Sequence, residues 1–319
     1  MSTLGACVEY DLYQPPPAFG EDNPPAAENP VKTDRIVQLT SPSVDVLWVV
    51  DNSGSMGDNQ QALANNFPAF MNYFLGSGLD YHIGVVSTDM ADPDHRGKLR
   101  EAAGVRFITP DTNNPVNVFS NMAAIGANGA DTEKGRDAAF VALEIEKDGY
   151  NIDFLRNKED SGVNVTVISD EDDYSTNITR GEFIAFLNDL RPEDDLVTFN
   201  SIVNPPGGGF ANQTGTDYLA VTDAVGGLKR DIGTGDWSSM LEDLGIQAAG
   251  LKSEYFLSQI PVVPTIKVWV EIGSSTRVFD VGEDYTYDQS RNSIRFSDYI
   301  PEPLAEVFIE YTVLASVVN

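Results

Sequence analysis

The residues best placed to do chemistry lie in VDVLWVVDNSGSMG, positions 44–57. The apolar run through Val44, Val46, Leu47, Trp48, Val49 and Val50 is nearly continuous and rich in β-branched residues, as expected of a parallel strand covered on both faces. Asp51 then stands at the strand's carboxyl end, the edge of an open α/β sheet where ligands bind. Asp51, Ser53 and Ser55 offer one carboxylate and two hydroxyls in a turn that Gly54 allows to fold sharply. These hard oxygen donors suit Mg²⁺, Mn²⁺ or Ca²⁺ and suit zinc poorly.

One carboxylate only half neutralises a divalent ion, so further acid must come from another loop or from a ligand. A second apolar run, VNVTVIS at 163–169, also ends in an aspartate, Asp170, followed by Glu171, Asp172 and Asp173. Between the two runs, NGADTEKG at 128–135 feeds a helix start, and there Thr132 can present its hydroxyl, with Asp131 and Thr88 competing for that role. Three loops from one sheet edge would then converge on a single ion. The bland alternative, Asp51 and Ser53 acting as helix N-caps, explains the turn but not Asp170.

With these residues in view, the chain resembles a von Willebrand factor A domain carrying an intact metal-ion-dependent adhesion site. The Asp-x-Ser-x-Ser element falls on Asp51, Ser53 and Ser55, the family's threonine on Thr132 and its last aspartate on Asp170. The resemblance implies that the serines, and usually the threonine or the first aspartate, touch the metal directly, while the remaining acid acts through water. It also implies one open coordination position, filled by a glutamate or aspartate of a protein partner. The physics agrees, because an under-neutralised cation gains much from an external carboxylate.

A narrower resemblance, carried by GLDYHIGVVSTDM, GADTEKGRDAAFVAL, SDEDDYS, YDQSRNSIRF and FIEY, is to bacterial surface lipoproteins containing such a domain. It implies a cell-surface or extracellular location. Those proteins often carry a disulfide near the fifth strand, whereas GGGF at 207–210 and KRDIGTGDW at 229–237 contain no Cys. That departure is compatible with assembly inside a cell, for example as a virion part released by lysis.

The elements that must position these groups alternate. Strands are expected at Val44–Val50, Tyr81–Ser87, Val163–Ser169 and Leu196–Val203, and helices at Glu133–Lys147, Arg180–Leu190, Asp217–Val225 and Asp236–Ala249. Another helix places Leu63, Phe67, Phe70, Met71 and Phe74 on one face, with Pro68 expected to kink or restart it. This is the pattern of a doubly wound, mostly parallel α/β sheet. After Pro261 the period changes to two, at 265–270, 293–296 and 306–311, which reads as a small antiparallel β module.

The expected organisation is a Pro-rich arm at 1–35, an α/β domain at 36–258 and the β module at 259–319. The arm, QPPPAFGEDNPPAAENP at 14–30, lacks core formers and is suited to contact a neighbouring subunit, as in a virion or appendage part. Leu4-Gly5-Ala6-Cys7 looks like a lipobox, although only MSTLGA precedes the cysteine, so either the true start lies upstream or the chain descends from a lipoprotein.

A net charge of −29 argues against a nucleic-acid or anionic-membrane footprint, and no apolar run is long enough to span a bilayer. The rival function, a metal-dependent phosphotransferase or hydrolase, is strained: position 53 is Ser rather than a second Asp, and neither a Walker loop nor a G-x-S-x-G elbow is present. The sequence therefore points to a non-enzymatic binding module. Glu171, Asp172 and Asp173 read as solvated loop acids rather than an accessory Ca²⁺ site, and His82 and His95 as structural.

Overall fold

The computed structural model describes residues 29–38, 43–75, 78–130, 132–157, 161–193, 196–209, 213–252, 254–297, 299–302 and 304–314. The segment up to residue 28, including most of the expected arm and the lipobox-like Cys7, lies outside the described residues. In chain order, β1 (Val31–Val37) precedes β2 (Ser43–Val50), the strand that ends at Asp51. Strands β3 (Asp80–Ser87), β4 (Gly162–Ile168), β5 (Val197–Val203) and β6 (Lys229–Asp231) join β2 in a wholly parallel sheet of order β3-β2-β4-β5-β6.

All eight residues of β2 are buried, because helices cover both sheet faces. Val44, Val46, Trp48 and Val50 point into a core built with α1 (Gly57–Met71), α2 (Pro115–Ala123) and α6 (Trp237–Ala248). Leu47 and Val49 point the other way, toward α3 (Gly135–Phe140), α4 (Arg180–Asp189) and α5 (Thr216–Val225). This alternation is what a doubly wound sheet requires of its central strand. Trp48 anchors the first core edge-on to Phe67, Phe70 and Phe119, with ring centroids 6.3, 5.4 and 5.6 Å away.

Helix α1 runs through Pro68 without restarting. Proline has no N–H for the carbonyl four residues back, Ala64 O, which lies 3.3 Å from the Ser120 hydroxyl on α2, a group whose single proton is shared with Val116 O at 3.0 Å. Helix α2, β1 and β6 were not among the sequence expectations. The helix expected from Glu133 to Lys147 begins at Gly135 and passes into a π-helical turn at Val141–Ile145.

Residues 31–35, expected in the arm, form most of β1, which pairs antiparallel with β12 (Glu306–Thr312). Its polar residues are used across strands. Arg35 donates to both oxygens of Glu306 at 2.6 and 2.5 Å, and Asp34 accepts from the Tyr311 hydroxyl at 2.7 Å. Strands β8 (Lys267–Ile272) and β9 (Ser275–Phe279) complete the order β1-β12-β8-β9. A second antiparallel sheet, ordered β10-β11-β7, comprises β7 (Glu254–Phe256), β10 (Tyr285–Asp288) and β11 (Ser293–Phe296). The two antiparallel sheets share one apolar core, in which Tyr255 of β7 packs with Val268, Ile294 and Val307.

Candidate metal site

Asp51 is fully buried at the carboxyl edge of β2, and its backbone N–H still reaches Ile168 O of β4 at 3.0 Å. One carboxylate oxygen accepts the Ser53 N–H at 2.7 Å and the other accepts the Ser169 hydroxyl at 2.6 Å. The Ser53 and Ser55 hydroxyl oxygens lie 3.4 Å apart, Ser53 buried and Ser55 exposed. The hydroxyl-bearing turn thus has an inner and an outer member.

Two residues the sequence reading did not single out hold this turn. The buried Gln60 donates to Asp51 O at 2.8 Å and Gly126 O at 2.9 Å, and accepts the Gly126 N–H at 3.1 Å. Asn52 accepts from the Ser87 hydroxyl at 2.9 Å, while its carbonyl accepts the Gly129 N–H at 2.8 Å. A Cβ on Gly129 would lie 2.2 Å from the Asn52 side chain, so glycine is required for this approach.

The loop pinned in this way delivers Glu133 rather than Thr132 to the interior. Thr132 is exposed, and among the described residues no hydrogen bond joins it to Asp51, Ser53 or Ser55. Asp131 lies outside the described residues. Glu133 is fully buried, accepts a short hydrogen bond from the Thr88 hydroxyl, and brings its carboxyl group within hydrogen-bond reach of the Asp51 carboxylate. Asp170, only 4% exposed, has one buried oxygen without a partner.

The electrostatics agree with this crowding. Burial pushes the Glu133 carboxyl up to about 9, with the charge of Asp51, a hydrogen bond to the Asp51 carboxylate and the charge of Glu171 adding to it and the Thr88 hydrogen bond opposing. Burial also raises Asp51, helped by the charge of Asp170 and opposed by the hydrogen bonds from Ser169 and Ser53. Among the described residues, no Lys, Arg or His forms an ion pair with Asp51, Glu133 or Asp170.

Other acids nearby are committed elsewhere. Asp173 pairs with Arg136, which also reaches Asp217 at 3.1 Å, and Asp172 accepts the Asp217 N–H at 2.9 Å. His95 reaches the edge of the site, its Nδ1 lying 3.4 Å from Asn52 Nδ2. Asp89, Asp92 and His95 bring one ligand atom each within 4.8 Å of one another. The Asp89 oxygens already accept the N–H groups of Ala91, Asp92 and Ala130, which braces the loop. His82 faces Phe154 O at 2.7 Å, away from the site.

An oxygen-only donor set with three clustered buried carboxyl groups and no basic counter-charge fits a hard divalent cation. Fold and site together define a doubly wound α/β domain with an acidic, hydroxyl-flanked cluster at the carboxyl edge of its central strand.

No family model and no curated protein sequence matches the chain. Von Willebrand factor A domains are among the solved structures to which it is similar. One is a von Willebrand factor type A protein from Catenulispora acidiphila, at TM-score 0.43 and 9% identity over 92% of this chain and 68% of that one. Another is proximal thread matrix protein 1 from the mussel byssus with a zinc-occupied MIDAS motif, at TM-score 0.42 and 11% identity over 71% of this chain and 52% of that one. The pilus adhesin SpaC from Lactobacillus rhamnosus GG is similar at TM-score 0.45 and 10% identity, over 92% of this chain and 43% of that one. The chain thus spans about half the length of the mussel protein and less than half of SpaC.

Proposed function

We propose that this protein is a divalent-cation-dependent protein-binding module, acting by adhesion or assembly rather than catalysis. Asp51, Ser53, Ser55 and Asp170 would hold the cation, with Mg²⁺, Mn²⁺ or Ca²⁺ as the ions their oxygens suit. When bound, the cation supplies a positive centre for an oxygen of the partner, an acidic side chain in the resemblance described above. The protein's own part is positional. Ser169 and the Ser53 N–H fix both oxygens of Asp51, Gln60 ties the turn to the neighbouring loop, and exposed Ser55 marks the side from which a partner would approach.

The observation that carries this reading is the cluster of three buried carboxyl groups, Asp51, Glu133 and Asp170, with no basic residue to neutralise them and one Asp170 oxygen left without a partner. Buried carboxylates left this way are costly, and a cation removes the cost. A place on the cell surface or outside the cell belongs to the same proposal and is supported by the lipobox-like Leu4–Cys7 segment. Among the described residues, no helix is long and apolar enough to cross a membrane.

The test is calorimetric titration of the metal-stripped protein with Mg²⁺, Mn²⁺ and Ca²⁺. One site is expected in the wild type, lost in Asp51→Ala with the far-UV circular dichroism preserved. A wild type that binds none of the three ions would overturn the proposal.

A further inference from the structure

We infer that Glu133 is a third carboxylate ligand of the cation, in the role the sequence resemblance gave to the hydroxyl of Thr132, and that it makes the site retentive for metal but weak for a partner's carboxylate. The inference rests on the metal site proposed above. Its grounds are positional: Glu133 is fully buried, Thr88 engages one of its carboxylate oxygens, and its carboxyl group lies within hydrogen-bond reach of the Asp51 carboxylate, with no N–H or O–H of another residue on its second oxygen. Thr132, one residue earlier, is exposed. The loop cannot easily exchange the two, because Lys134 N donates to Thr88 O at 3.3 Å and Tyr174 N to Glu133 O at 2.7 Å, so both polar groups of the peptide that follows Glu133 are held.

The consequence is one of charge. With Asp51 and Asp170 alone, a divalent ion would be just neutralised. Adding Glu133 leaves the loaded site with an excess negative charge, so the ion is held without help and a further carboxylate meets repulsion in a low-dielectric setting. An acidic partner would then add little hold on the metal through its carboxylate alone and would depend on contacts around the site. Because coupling is reciprocal, the effect of a free carboxylate on metal affinity reads the same quantity.

The experiment is calorimetry of Mn²⁺ binding to wild type, Glu133→Gln and Glu133→Asp, with and without acetate, with each variant's fold checked by thermal melting. Wild type should bind Mn²⁺ with an affinity that acetate changes less than about twofold. Glu133→Gln, which keeps shape and an acceptor for Thr88, should bind at least about tenfold more weakly and be tightened by acetate. Glu133→Asp keeps the charge with a shorter reach, so it should remain insensitive to acetate, and it carries the test if the Gln variant does not fold. Unchanged Mn²⁺ affinity and equal acetate response in wild type and Glu133→Gln would overturn the inference while leaving the metal site in place. Absence of Mn²⁺ binding in the wild type would overturn both.

Discussion

Folding the metal-free protein near neutral pH should require proton uptake at Glu133, and Glu133→Gln should remove that requirement. The carboxyl ionises near 4.5 in an unfolded chain and is pushed up to about 9 in the folded one, chiefly by burial. A raised carboxyl contributes stability that is fully present below the unfolded value and is lost as pH rises through the folded value. Between those limits one proton taken up on folding gives a slope of about −1.4 kcal/mol per pH unit. From pH 5 to pH 8 the metal-free wild type should therefore lose up to about 4 kcal/mol through this residue alone. Asp45, Asp51 and Asp173 are also raised and steepen the wild-type curve, so the informative quantity is the difference between the two proteins. The assay is urea denaturation in a chelating buffer at pH 5, 6, 7 and 8. Glu133→Gln should show the shallower dependence, with the two curves converging at the acid end. Parallel curves would refute the reasoning, because they would mean that Glu133 is ionised or solvated in the folded metal-free state.

Gly129→Ala should weaken Mn²⁺ binding with little change in far-UV circular dichroism, since its Cβ would collide with Asn52 and push the loop off the turn; an unchanged calorimetric affinity would contradict this. Asp45, at the opposite end of β2, is buried against Arg156 and Arg191. Asp45→Ala should lower stability in urea denaturation by removing the buried carboxylate these two guanidinium groups share, although Arg156 keeps Asp80 and Arg191 keeps its backbone carbonyls, and should leave metal affinity of the folded fraction unaltered.

Much of the site was written locally. The β-branched run before Asp51 could only be a covered strand, and Ser53 and Ser55 follow it within one turn, so chain connectivity alone brings these three groups together. Asp170 was legible for the same reason, since β4 pairs with β2 in parallel and both strands release the chain at the same edge. Strand and helix periods likewise showed the doubly wound α/β class and the antiparallel C-terminal segment, because each repeat reports which faces are covered.

Other features depended on distant partners. A solvent-seeking KTDR stretch became a strand only because β12 offered an unpaired edge, with Glu306 and Tyr311 to receive Arg35 and Asp34. Pro68 remains inside a helix whose face is packed on α2, where the Ser120 hydroxyl lies beside the carbonyl the proline leaves free. Whether Thr132 or Glu133 faced inward was set by hydrogen bonds to Asn52, Thr88 and Tyr174, residues 41 to 81 positions away along the chain from Glu133. By itself the sequence determined the sheet edge and the oxygen chemistry gathered there. The charge of the site was decided only by tertiary packing, because adjacent residues on a loop point in different directions and nothing in their order says which one the fold will bury.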